Sequence, residues 1–195
     1  MRFRELSPDV KPQALEAIRC MRDQEDDISE TLREIAESRG LYVKHIWWSC
    51  SGCQGDGVAF DGEWDLDKFL TVQEDLRKQV EEISSLGFTV SACKIQHSGH
   101  YTHEYTYTVE LELEEKDDSE TWWGRLSEAC KAPLREAAET QLLALHDAMQ
   151  ERMRDISREC FTAAGNEIDY YNSDEYLTAE AEANEYDFDD DGTLL

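Results

Sequence analysis

Apolar and polar positions alternate without a break from Tyr101 to Glu114. Tyr101, His103, Tyr105, Tyr107, Val109, Leu111 and Leu113 fall on one face, and Thr or Glu fills every position between them. A period of two over that length predicts a β-strand with one wet face. A turn at Ser98-Gly99 would pair it with the run from Phe88. Phe88 then faces Val109, Val90 faces Tyr107 and Ala92 faces Tyr105. Both strands put their apolar sets on one side in that register, and a slip of one residue would undo it. A second hairpin is expected upstream. Tyr42 to Ser49 is rich in β-branched and aromatic residues, Ser51 to Gly57 is turn chemistry, and Val58-Ala59-Phe60 resumes a strand.

Helical spacing fills the rest. Leu15, Ile18 and Met21 form one apolar face, and Ile28, Leu32 and Ile35 continue it. The acidic run from Asp23 to Asp27 is either a solvated turn of one helix or a break between two, and Gly40 ends the pattern. Asp65 suits the cap of a helix carrying Phe69, Val72, Leu76, Val80 and Ile83, closed by Gly87. Trp122-Trp123 is expected in a short helix. Pro133 suits the first turn of a long helix whose stripe is Leu142, Leu145, Met149, Met153 and Ile156. Ser173-Asp174-Glu175 starts a last helix through Ala183, and Asn184–Leu195 is a tail, either disordered or an added edge strand. The fold class is therefore α+β: a mostly antiparallel four-stranded sheet of two hairpins, helices on one face, and a long C-terminal helix. Residues 1–163 are expected to form one domain, and 164–195 an acidic helix and tail packed on it.

Charge changes the picture most. Against 45 Asp and Glu stand 19 Lys and Arg, a net charge of −26 with a pI near 4.3. Phosphate binding needs a basic surface, so direct binding to nucleic acid is excluded, as is an anionic membrane surface. A host protein with a basic surface is the partner such a chain suits. No window approaches a membrane span, the first residues lack the apolar stretch of a signal peptide, and a cytoplasmic location in a bacterial host cell is expected. An open sheet face or edge also suits a homodimer. Six cysteines spread over helical and strand-like segments read as reduced thiols.

Candidate chemistry is sparse. Cys50-Ser51-Gly52-Cys53 has the spacing of half a zinc site, which Cys93 and His97 would complete. The competing reading is a hairpin loop with ordinary thiols. In Gln54-Gly55-Asp56-Gly57, Gln54 and Asp56 are candidate contact residues; alternatively Asp56 bonds the amides of its own turn. Asp187, Asp189, Asp190 and Asp191 are candidate contacts for a basic partner; Asp187, Asp189 and Asp191 also open like a calcium loop, but its twelfth position, which needs a bidentate Glu, would fall beyond Leu195, and the competing reading is an acidic tail with a turn. His97, His100 and His103 do not converge on one face in the expected register, and no nucleophile–base pair can be named, so no catalytic residue is assigned. In Trp47-Trp48 and Trp122-Trp123, neighbours point different ways, leaving one ring of each pair, such as Trp48, free to anchor a partner. Glu104, Glu110, Glu112 and Glu114 form an acidic edge whose carboxylates are spaced like nucleic-acid phosphates.

Two stretches resemble known proteins. Gln54-Gly55-Asp56-Gly57 with Phe60 and Gly62, and Ser173-Asp174-Glu175 followed by Ala183-Asn184-Glu185-Tyr186, Phe188 and Asp191-Gly192, resemble signatures of a group of small phage and prophage proteins, some labelled antitoxin-like. That family has Gly and Ser where this chain has Cys50 and Cys53. The resemblance implies a phage origin. Together with the charge it suggests a non-enzymatic inhibitor of a host defence or nucleic-acid-processing complex, of the anti-CRISPR or anti-restriction kind, acting as a DNA mimic. The alternative is a zinc-stabilised, antitoxin-like regulatory module.

Overall fold

A computed structural model describes every residue except Asp65, His100 and residues 117–121, and leaves out the side chains of Ala92, Cys93 and Tyr107. The Asp65 cap and the placement of His100 lie outside the described residues. The fold is α+β. The chain divides into two compact units: Thr31–Phe161, and Met1–Glu30 together with Thr162–Leu195. Two helices, α2 (Glu25–Ser38) and α5 (Glu128–Tyr171), contribute residues to both.

The larger unit is built on one antiparallel sheet. Its strands are β1 (Leu41–Ser49), β2 (Gly57–Trp64), β3 (Phe88–His97) and β4 (Tyr107–Glu115), in spatial order β1-β2-β3-β4. The first hairpin runs from Leu41↔Trp64 to Ser49↔Gly57, with an irregularity at Lys44 between Val43↔Gly62 and His45↔Asp61. Gly62 makes that irregularity possible. Its φ is 156°, and a Cβ there would lie 2.1 Å from the carbonyl oxygen of Tyr42, so only glycine admits the approach.

The second hairpin departs from the expected register. Phe88 pairs with Glu115, Val90 with Leu113, Ile95 with Val109 and His97 with Tyr107. The strand expected from Tyr101 begins only at Tyr107, and the connection is the long segment 98–106 rather than a tight turn at Ser98-Gly99. A shift in register between Val90 and Ala92 lets Val90 and Ile95 both face the core despite their odd spacing.

Side chains facing the helices form the core: Val43, Phe60, Trp64, Phe88, Ile95 and Val109 from the sheet are buried, as are Phe69, Leu76, Ile83, Leu145, Met149, Met153 and Ile156 from the helices. The single helix expected over 65–86 is two, α3 (Leu66–Val72) and α4 (Glu74–Ser85), broken at Gln73 (φ −121°, ψ 77°). Trp122-Trp123 sits in a turn rather than a helix, with Trp123 buried against Phe88 and Trp122 exposed. α5 starts at Glu128, so Pro133 lies in its second turn. The bond from residue 133 to the Ala129 carbonyl is therefore missing there. Both sheet edges are guarded by side chains: Arg33 donates to the Val43 carbonyl of β1, and the Val109 amide of β4 donates to Gln150 of α5 at 3.1 Å.

The smaller unit packs α1 (Lys11–Met21) against α6 (Asp174–Ala183). Phe3, Leu6, Leu15, Ile18, Leu177 and Phe188 are buried together at its centre. The acidic run 23–27 marks a break between α1 and α2. The tail is ordered: the Phe188 amide donates to the Met1 carbonyl at 2.8 Å, the terminal ammonium donates to the Phe188 carbonyl at 2.6 Å, and Phe188 bridges Leu194. Buried Phe188 carries the closure; hiding one such ring contributes about 1.5–3 kcal/mol.

Candidate functional site

The two hairpin connections meet at one end of the sheet. In the first, the Asp56 carboxylate organises its own loop. Oδ1 accepts from the Ser49 hydroxyl at 2.7 Å and the Ser51 hydroxyl at 2.9 Å, and Oδ2 accepts from the Gly52 amide and from the Cys53 amide at 2.9 Å. The Ser49 hydroxyl first, then the amides and Ser51, hold the Asp56 carboxyl below the usual aspartate range. The loop is therefore locked by a charge already committed to four donors, and Asp56 offers little to a partner.

Gly55 and Gly57 admit the second connection. A Cβ on Gly57 would lie 2.5 Å from the Thr102 carbonyl oxygen, and one on Gly55 would lie 2.9 Å from the Tyr101 ring. Thr102 Oγ1 donates to the Gly55 carbonyl at 3.2 Å. Gln54, Gly55, Tyr101, His103 and Thr106 line an open cleft of about 470 Å³ there. Segment 98–106 also presents Tyr105, which lies under the Arg154 guanidinium at 4.8 Å, and Glu104, which pairs with Arg158 at 3.1 Å. The strand-like alternation hid this loop; the glycine pair at 55 and 57, which needs something to approach it closely, was the available signal.

The outer sheet face carries the charge. In register, Tyr42, Glu63, Lys94 and Glu110 form one row across all four strands. Lys44 Nζ binds Glu63 Oε1 at 2.6 Å, and this pairing holds the Glu63 carboxyl down and the Lys44 ammonium up in pKa. His45 Nδ1 lies 2.7 Å from Asp61 Oδ1, and the Trp47 ring stacks on His97 at 4.8 Å. Lys44, Asp61, Glu63, Lys94, Gln96 and His97 line a shallow cleft of about 410 Å³ on this face. Glu110, Glu112 and Glu114 project from alternate positions of β4, all exposed, with Glu110 accepting from Gln96 Nε2 at 3.2 Å. Glu104 does not continue that row, because it belongs to the connection.

Residues 26–174 match the model of a family described as a domain of unknown function (DUF8835). The chain belongs to that family. No curated protein and no solved structure matches it. In this DUF8835 chain the match takes in both hairpins and all of α5, and it ends at the first residue of α6.

The remaining expected positions of the DUF8835 chain scatter. Cys50 is partly buried, which raises its thiol pKa, with Asp56 adding to the effect; Cys53 is exposed, with Sγ 2.7 Å from Ser51 Oγ. His97 Nε2 is 2.8 Å from the Tyr101 carbonyl oxygen, and the Cys93 side chain lies outside the described residues. Among the described residues no group of three or more His, Cys, Asp or Glu is gathered for a metal. Trp48 is partly buried opposite Val58. Asp187, Asp189, Asp190 and Asp191 lie in the closed tail of the smaller unit: Asp187 pairs with Arg2 at 3.7 Å, and Asp191 accepts from the Thr193 amide at 2.9 Å, which lowers its pKa. They are in a different unit from the β4 row. No helix among the described residues is long and apolar enough to cross a membrane.

Proposed function

We propose that this chain is a phage-encoded, non-enzymatic acidic protein that binds and inhibits a host protein with a basic surface, in a defence or nucleic-acid-processing complex. The observation that carries the reading is the exposed row Glu110, Glu112 and Glu114 on a chain of net charge −26. Alternate residues of a strand stand about 6.8 Å apart. Phosphates along one nucleic-acid strand rise about 3.4 Å each. That rise is measured along the helix axis, and neighbouring phosphates lie farther apart through space because the strand winds around it, so the row presents carboxylates at intervals comparable to those between phosphates. The resemblance of the Gln54–Gly62 and Ser173–Gly192 stretches to phage proteins supplies the biological setting.

Capture from a bacterial lysate, repeated at low and high salt with mass-spectrometric identification, tests this. A basic nucleic-acid-binding or defence protein should be retained at low salt and released at high salt, because exposed charges are screened. Glu110→Lys with Glu112→Lys should abolish retention. Retention indifferent to both salt and the charge reversal would sink the proposal.

A further inference from the structure

The smaller unit holds an arginine in a manner that points to a second site beside it. Arg22, at the end of α1, lies with its guanidinium 5.0 Å from the Tyr171 ring centroid and 4.8 Å from that of Tyr176. Its Nε pairs with Glu180 at 3.2 Å, and its Nη1 donates to the Tyr171 carbonyl at 3.3 Å. Two aromatic rings, one carboxylate and one carbonyl thus satisfy a planar cation that is only 10% exposed.

The same chemistry continues on the adjoining surface of α6, where Arg22 already takes Glu180 and one side of Tyr176 and leaves Tyr170 and Glu175 facing outward. Tyr170, Tyr176, Glu175, Glu180, Ala179 and Ala183 line a groove of about 490 Å³. Tyr170 is 58% exposed, and its ring packs against those of Tyr171 and Tyr176 at 5.5 and 5.0 Å. Ala179 and Ala183, one turn apart on α6, leave the floor open to a long side chain. Arg19 and Arg22 of α1 reach the α6 carboxylates Asp174 and Glu180, but from Glu159 to the end the sequence has 12 Asp and Glu and no Lys or Arg, so the local field still favours a cation.

We propose that this groove takes an arginine side chain of a basic partner, its guanidinium stacked on Tyr170 and paired with Glu175. The proposal rests on the reading that the protein binds a basic partner, and names a place and a side chain for that contact. A lysine fits less well, because an ammonium is a compact, strongly hydrated charge that stacks poorly on a ring and cannot bridge two acceptors in a plane.

Hexa-arginine and hexa-lysine peptides of equal charge, titrated against the full chain at low salt, separate the possibilities. Hexa-arginine should bind about two- to five-fold more tightly, the range expected for an exposed cation–π contact. Tyr170→Ala should erase the preference and Tyr170→Phe should keep it. Ala179→Arg, at an exposed position, should also erase it by seating a tethered guanidinium in the groove, and this variant does not disturb the tyrosine cluster. Equal binding of the two peptides overturns the guanidinium site. A preference that survives both Tyr170→Ala and Ala179→Arg overturns the groove as its location, while salt-sensitive binding leaves the wider reading standing. Failure of both peptides to bind overturns the groove and the wider reading together.

Discussion

Two glycines show how differently the same substitution acts. Gly62 has φ 156° and its missing Cβ would meet the Tyr42 carbonyl oxygen, whereas nothing lies within 4 Å of a Cβ built on Gly165 in α5. Gly62→Ala should therefore cost at least about 2 kcal/mol, through strain and loss of the β1–β2 pairing. Gly165→Ala should stabilise by roughly 0.5–1 kcal/mol, because it removes backbone freedom from the unfolded chain. Chemical denaturation of the two variants gives both values, and a stabilising Gly62→Ala would contradict the close approach. Asp56 offers a second test. Its carboxyl titrates below the usual range because the folded loop supplies four donors to the anion. A depressed folded pKa stabilises above the unfolded value and is lost as pH falls through the folded one, so the loop should hold at neutral pH and loosen only below about pH 4. Hydrogen exchange at the Gly52 and Cys53 amides should show protection at neutral pH that disappears in acid, and Asp56→Asn should weaken it at every pH. Protection that is unchanged in Asp56→Asn would mean the carboxylate is not the lock.

At the scale of elements, the existence of both hairpins was legible and the register of the second was not. The alternation from Tyr101 to Glu114 is real, but period-two spacing says nothing about where pairing begins. Tyr101 to Thr106 is held in a loop because Gly55 and Gly57 receive it, and that requirement sits some fifty residues away in the sequence. The break at Gln73 was hidden for a similar reason: the apolar spacing runs straight through it, and the turn is set by packing rather than by a Gly or Pro. Of the candidate site, the Glu110–Glu114 row was legible because strand periodicity alone sets it; Glu104 was misassigned with the register. α5 has an inward face that makes a further prediction. Ser157 is 1% exposed and donates to the Val58 carbonyl, and Cys160, three residues on, is fully buried with its thiol pushed up to about 12 by burial. Ser157→Ala should cost about 1 kcal/mol in a denaturation experiment. Alkylation mapped by mass spectrometry should mark Cys20, Cys53 and Cys130, all exposed, long before Cys160. Cys160 labelling as fast as Cys53 would show that α5 does not stay seated on the sheet.

For the whole molecule, charge opposes folding and favours association. With 45 acidic and 19 basic residues, pairing every cation would still leave the net −26 as unpaired carboxylates. The ion pairs that exist are mostly exposed, such as Arg39–Glu159 and Arg158–Glu151, and solvent screening leaves such pairs little to contribute. Repulsion among the excess carboxylates is spread over the chain and acts at distances comparable with the screening length, about 10 Å at 0.1 M salt and about 3 Å at 1 M. Added salt therefore removes more repulsion than attraction from the free protein, and its thermal midpoint should rise by several degrees between dilute buffer and molar salt, since on the order of 1 kcal/mol shifts a domain of this size by ~2–4 °C. Association with a basic partner has the opposite sign, because there the same carboxylates are attractive and screening weakens them. A scanning-calorimetry series on the free chain and a binding series on the complex should thus slope in opposite directions with salt. If the midpoint of the free chain falls instead, the attraction in its ion pairs outweighs the repulsion among the excess carboxylates, and the claim that charge opposes folding is overturned.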